Sequence, residues 1–129
     1  MITKEKQFEH RVIGSDTGYF RFYQDATEDD YMGAFDAYMS IVSDPAITKL
    51  VVVNDKKGKW DETIENAWIQ TGKMADQFGI KKWGVVTPDS AIREMTLKRV
   101  VKQGFTESPN YDFFLSRNEA EVLAWISQD

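Results

Sequence analysis

Few residues in this chain of 129 could carry bond-breaking chemistry: it has one histidine, His10, and no cysteine. An imidazole suits proton transfer near neutral pH, but it needs a positioned partner. His10 falls in an alternating segment, residues 7–14, with Phe8 and Val12 on its own side and no carboxylate fixed beside it by spacing. It reads as a packed or edge residue of a strand rather than as a base. Without cysteine there are no disulfides and no thiolate metal sites, and one histidine among scattered carboxylates forms no ligand pattern. The expectation is a protein that is not an enzyme, with no catalytic residue, metal site or cofactor.

The chemistry that remains is the attraction of anions. Residues 55–60 read Asp-Lys-Lys-Gly-Lys-Trp and lie between an apolar run and an amphipathic stretch. A loop joining a strand to a helix falls at the carboxyl end of the strand, where open α/β sheets take their ligands. Lysines there stand beside the exposed amides of a helix start. The loop has one glycine and lacks the GxxxxGK[ST] spacing, so it is not a nucleotide phosphate loop. Further along, Arg93, Lys98, Arg99 and Lys102 crowd residues 87–104, with only Glu94 against them nearby. This predicts a locally positive helix suited to an acidic partner or a lipid headgroup. The candidate contact surface is therefore Lys56, Lys57, Lys59, Trp60, Asp61, Glu62 and Thr63, together with Arg99.

Charge distribution points the same way. The net charge is −5, yet residues 46–104 carry 11 basic and 7 acidic side chains, against 4 and 9 before them and 1 and 5 after. A negative total argues against general nucleic-acid affinity. Residues 1–10 hold no apolar secretory core, and the longest aliphatic run, residues 50–53, is far too short to span a bilayer. A soluble cytoplasmic protein with no integral membrane segment is expected.

These groups need a scaffold, and periodicity supplies one. Residues 7–14 and 19–24 alternate about an Asp-Thr-Gly turn and predict an antiparallel hairpin. Thr27 and Asp30 form a capping box for a helix that ends before Pro45. The run at 49–54 predicts a strand buried on both faces. A helix follows from Asp61 to about Gln77, with Ile64, Ala67, Trp68, Thr71, Ala75 and Phe78 inward and Gly79 as the stop. A strand at 82–87 leads to a helix with Pro88 in its first turn and Met95, Leu97, Val100 and Val101 on its apolar positions. Residues 111–115 make a last strand, and Ser116 with Glu119 forms a capping box for the terminal helix. The order ββαβαβαβα predicts a single α/β domain over residues 1–129, with a mixed, mostly parallel sheet. The opening hairpin leaves an edge strand that a second copy can pair with, sealed by Tyr19 or Phe22. Four Trp, eight Phe and five Tyr supply the core, and Met32, Met39, Met74 and Met95 could line an apolar ligand cavity.

The element order, the aliphatic third strand followed by a capped helix, and the ending Glu119-Ala120 with Ala124-Trp125-Ile126 (an EAxxWI tail) together resemble the SpoIIAA-like branch of the STAS domains, also described as STAS/SEC14-like. The resemblance implies a mixed sheet with helices mainly on one face. It also implies a non-catalytic bacterial regulatory module that binds a protein partner, an anionic ligand or, as the alternative, an apolar or lipid-like ligand. Members that antagonise anti-sigma factors carry a phosphorylatable serine in an Asp-Ser-Ser/Thr-Gly-type motif after the third strand. Here that place reads Asp61-Glu62-Thr63-Ile64, with glutamate for the serine and no glycine. Such a phosphorylation switch is not expected in this chain.

Overall fold

The apolar run at residues 50–53 becomes the middle of a five-stranded sheet, seen in a computed structural model that describes residues 7–55, 62–88, 90–104 and 111–128. The side chains of residues 63 and 100–104 lie outside that description. The chain runs β1 (Phe8–Ile13), β2 (Thr17–Phe22), α1 (Glu28–Val42), β3 (Lys49–Asn54), α2 (Glu62–Gln77), β4 (Lys82–Val86), α3 (Ala91–Gly104), β5 (Asp112–Ser116) and α4 (Glu119–Ile126). The strands lie side by side in chain order. β1 and β2 are antiparallel, and β2, β3, β4 and β5 are parallel to one another.

Strand alternation sorts the side chains into two cores. Phe20, Phe22, Leu50, Val52, Trp83 and Val85 face α1, α2 and α3, whose inward residues include Tyr31, Tyr38, Trp68 and Leu97. Tyr19, Val51, Val53 and Val86 face the other way, against Val122 and Ile126 of α4. β3 is buried on both faces from Leu50 to Asn54, as its composition predicts. Because every crossover steps in one direction along the sheet and right-handed connections are the rule, the three crossover helices share one face.

Helix ends follow local chemistry. Thr27 and Asp30 complete the expected capping box, and the Asp30 carboxylate also accepts the backbone N–H of Gln7 at 3.2 Å, tying the start of β1 to α1. Gly79, with φ +82°, ends α2 in the left-handed conformation that glycine takes without strain. Two starts differ from expectation. α4 is capped by Asn118, whose side chain accepts from Glu121 N–H, since Ser116 is still bonded into β5. α3 begins at Ala91, and the hydroxyl of Ser90, not the Pro88 turn, accepts the N–H of Arg93.

Packing corrects the helix faces too. Phe78 is 36 % exposed, Met95 is 72 % exposed, and Met32 and Met39 are also exposed, whereas Tyr19 and Phe22 are buried and cannot seal an interface. Among the described side chains of α3 the inward positions are Arg93 and Leu97, four residues apart, and Met95 lies off that face; the expected Val100 and Val101 lie outside the description.

Close approach of α4 to the sheet rests on one glycine. A Cβ added at Gly84 would stand 2.6 Å from Cγ1 of Val122, itself fully buried. Gly84→Ala is expected to destabilise the fold by about 1–3 kcal/mol through overpacking. In a double-mutant cycle by urea unfolding, Val122→Ala should recover part of that loss. Additive effects would place the cost elsewhere.

Candidate functional site

The carboxyl ends of the parallel strands gather the buried polar groups of the α-helical face. Asn54, the last residue of β3, is fully buried, and its amide oxygen accepts the Tyr31 hydroxyl at 2.8 Å. Tyr31 is held flat on Phe22, with ring centroids 4.1 Å apart and planes 8° apart. Burial pushes its phenol far above the ordinary range, with Asp30 adding to the effect and Arg93 opposing it. Arg93, from the first turn of α3, is only 4 % exposed. Burial works against its charge and lowers its pKa, while Tyr31 and Glu65 act to keep it protonated. Thr87, just past β4, is buried as well, and its hydroxyl has no hydrogen-bond partner among the described residues.

Beside this cluster the outer surface of α3 is neither plainly basic nor plainly polar. Arg99 is ion-paired with Glu65 of α2, Lys98 reaches Glu94 at 3.2 Å, and Arg117 reaches the same carboxylate at 2.8 Å. Those two cations hold the Glu94 carboxyl below its usual range, Arg117 first. Among the described side chains the expected positive charge is thus partly offset: Lys98 by Glu94 one turn back on its own helix, and Arg99 by Glu65 of α2, which linear spacing does not bring near. What α3 does expose is apolar: Ile92 is 77 % exposed and Met95, three residues on, 72 %.

On the opposite face, Arg21 bridges Asp55 at 2.9 Å and Glu119 at 3.3 Å, and the Tyr19 hydroxyl donates to Glu119 at 3.3 Å. This network ties the start of α4 to β2 and to the beginning of the β3–α2 loop.

Between α1, α2 and the sheet lies a half-open apolar cleft lined by Phe20, Phe22, Phe35, Tyr38 and Trp68 among others, enclosing about 30 Å³. That is room for one or two waters. Met32, Met39, Met74 and Met95 are not among its lining residues. Met32 and Met39 instead share a helical stripe with Phe35 (i, i+3, i+7) on the surface of α1.

Of the residues marked by sequence, Lys56, Lys57, Lys59, Trp60 and Asp61 lie outside the described residues, as does the side chain of Thr63. Glu62 is exposed as the first residue of α2, and Arg99 stands on the neighbouring α3 in its ion pair with Glu65. His10 lies on the exposed edge strand β1, stacked between Phe8 and Phe20 at 6.1 and 6.2 Å and far from the carboxyl-edge cluster in chain order. Sequence alone counts Arg93 among the surface cations of its helix, whereas it is buried, and does not single out Asn54, Tyr31 or Thr87 as polar groups of a site. One signal was present, since Arg93 stands four residues before the apolar Leu97 and so shares its inward face. Among the described residues no group of His, Asp or Glu side chains is arranged to hold a metal, and no helix is long and apolar enough to cross a membrane. No protein-family model, curated protein or solved structure matches the chain.

Proposed function

We propose that this chain is a non-enzymatic STAS/SpoIIAA-like regulatory module, and that α3 with the β3–α2 loop forms its docking surface for an acidic protein partner. The observation that carries the reading is the mixed polarity of α3, which buries Arg93 beside Leu97 yet exposes Ile92 and Met95 side by side. A helix that only covers a core would do the opposite. Paired exposed apolar side chains on a helix that also carries the ion-paired Glu94, Lys98 and Arg99 have the make-up of an interface centre with a polar rim. The excess of basic residues over 46–104, which include Lys56, Lys57 and Lys59, selects an acidic surface. Sheet order supports a surface rather than a crevice. The strands run in sequence from β1 to β5, so the crossovers never reverse and leave no switch point of the kind that binds nucleotides.

Affinity capture from the source cells, followed by calorimetry with the purified captured protein, tests this. Ile92→Glu is expected to weaken binding at least tenfold with its melting temperature unchanged, since that side chain is exposed, and Lys56→Glu/Lys57→Glu to weaken binding and make it less salt-sensitive. A partner bound equally by both variants would remove this surface from consideration.

The apolar cleft favours a second reading, a carrier of a lipid-like ligand. Its aromatic lining and the adjoining Met32–Phe35–Met39 stripe are suitable, but such ligands need pockets on the order of ten times the enclosed space. α1 and α2 would have to part. Native mass spectrometry showing a co-purified lipid would favour the carrier over the docking module.

A further inference from the structure

We infer that β1 is the interface through which two copies of this chain pair, antiparallel about a two-fold axis at His10, to make one continuous ten-stranded sheet. β1 ends the sheet, and among the described residues no strand lies on its outer side. In its ladder with β2, Glu9 pairs with Arg21, Arg11 with Tyr19 and Ile13 with Thr17, and the neighbouring Tyr23 N–H bonds to Gln7 O at 3.0 Å. By the alternation of an antiparallel ladder, odd-numbered residues bond to β2, while His10 and Val12 turn their N–H and C=O groups outward.

The side chains choose the register. With His10 opposite His10 of the second copy, Glu9 of each copy faces Arg11 of the other, and Phe8 faces Val12. Neither Glu9 nor Arg11 has an ion-pair partner among the described residues, although Glu9 lies near Tyr23 and the Arg11 guanidinium rests 4.6 Å from the Tyr19 ring centre. Val12 is 48 % exposed in the single copy. Sliding by two residues one way sets Arg11 against Arg11, and the other way Glu9 against Glu9. Sliding by one residue sets outward groups against inward ones. One register therefore satisfies charge, burial and backbone together, because the segment Phe-Glu-His-Arg-Val is chemically its own complement. Gly33 of α1 packs over the Phe8 ring, where an added Cβ would stand 3.4 Å from it. This surface is separate from the docking surface on α3, so either can fail alone.

Two single-cysteine variants of this cysteine-free chain read the register. In the paired sheet the two residues at position 10 have Cα atoms about 5.5 Å apart, within disulfide range. Residues at position 12 are offset by four residues along the strands, about 13 Å. On mild oxidation His10→Cys should form a disulfide-linked dimer quantitatively and Val12→Cys should not. Light scattering supplies the second arm. The wild-type chain should be dimeric at about 100 µM, as small edge interfaces require. Glu9→Arg and Arg11→Glu should each be monomeric, and an equimolar mixture of the two should recover the dimer mass. A wild-type monomer at that concentration, dimers indifferent to either charge change, or equal cross-linking at both cysteines would each overturn the pairing.

Discussion

Replacing Trp83 by alanine is expected to remove about 3–5 kcal/mol of stability, a large part of the 5–15 kcal/mol that a domain of this size possesses. Trp83 is fully buried at the centre of β4. Its indole lies 6.2 Å from Trp68 and nearly parallel to it, 5.3 Å from Phe113 edge-on, and 6.0 Å from Tyr111. It therefore joins α2, β5 and the segment before β5 in one aromatic cluster. Truncation leaves a cavity bounded by three rigid rings that cannot collapse into it, which puts the loss at the upper end for core substitutions. The indole N–H sharpens the test, because it has no hydrogen-bond partner among the described residues. Trp83→Phe loses volume but also removes a buried donor left unsatisfied, so it should cost roughly 1–2 kcal/mol. Urea unfolding measures both, with the slope unchanged if the loss is in packing alone. A phenylalanine variant as unstable as the alanine one would mean that the indole N–H has a partner and that the cluster is not mainly apolar.

What the sequence disclosed and what it withheld divide along one physical line. Three local signals held, while two others, the Ser116–Glu119 box and the Pro88 start, did not. The run at residues 50–53 announced a strand buried on both faces, Thr27 with Asp30 announced the helix start, and Gly79 announced the stop, since each depends on neighbours within four residues. Signals that depend on distant chain were not legible. The partner of Arg99 was hidden because Glu65 lies 34 residues away, and so was Arg117, a cation 23 residues from Glu94 that shares this carboxylate with Lys98. Ser116 looked like a cap because nothing local reveals that β4 draws it into the sheet. On α3 Leu97 faces inward as its spacing predicts, but Met95 is exposed and Arg93 buried, and a helix with mixed polarity on both faces gives periodicity little to resolve. That ambiguity is itself informative, because the face which fails to look like core is the one proposed for docking.

Mild alkali should unfold this protein steeply. Three buried tyrosines on the helical face keep their phenolic protons in the folded state. Tyr38 donates its hydroxyl to Thr71 O at 2.9 Å and Tyr111 donates to Gly72 O at 3.1 Å, so consecutive carbonyls of α2 are bonded by rings from two elements. Tyr31 donates to Asn54. Burial raises all three pKa values: Tyr111 is pushed up to about 12, with help from Asp76, and Tyr38 and Tyr31 go higher still, each further opposed by a neighbour, Tyr111 or Asp30. A phenolate facing a carbonyl oxygen has no proton to donate, which gives the shift its geometric reason. Below pH 10 both folded and unfolded chains hold these protons, and the three groups leave stability independent of pH. Above it the unfolded chain releases them first, and stability falls by up to about 1.4 kcal/mol per group per pH unit until the folded pKa is passed. Together the three should remove roughly 4 kcal/mol by pH 11, and phenolate absorbance should rise in step with loss of the near-ultraviolet dichroism. Tyr38→Phe, although less stable at neutral pH by about 1 kcal/mol for the lost hydrogen bond, should flatten the alkaline slope by about one third. Phenolates appearing near pH 10 with the dichroism intact would show these rings to be open to solvent, and would remove the tyrosine clamp on α2 from the account of the fold.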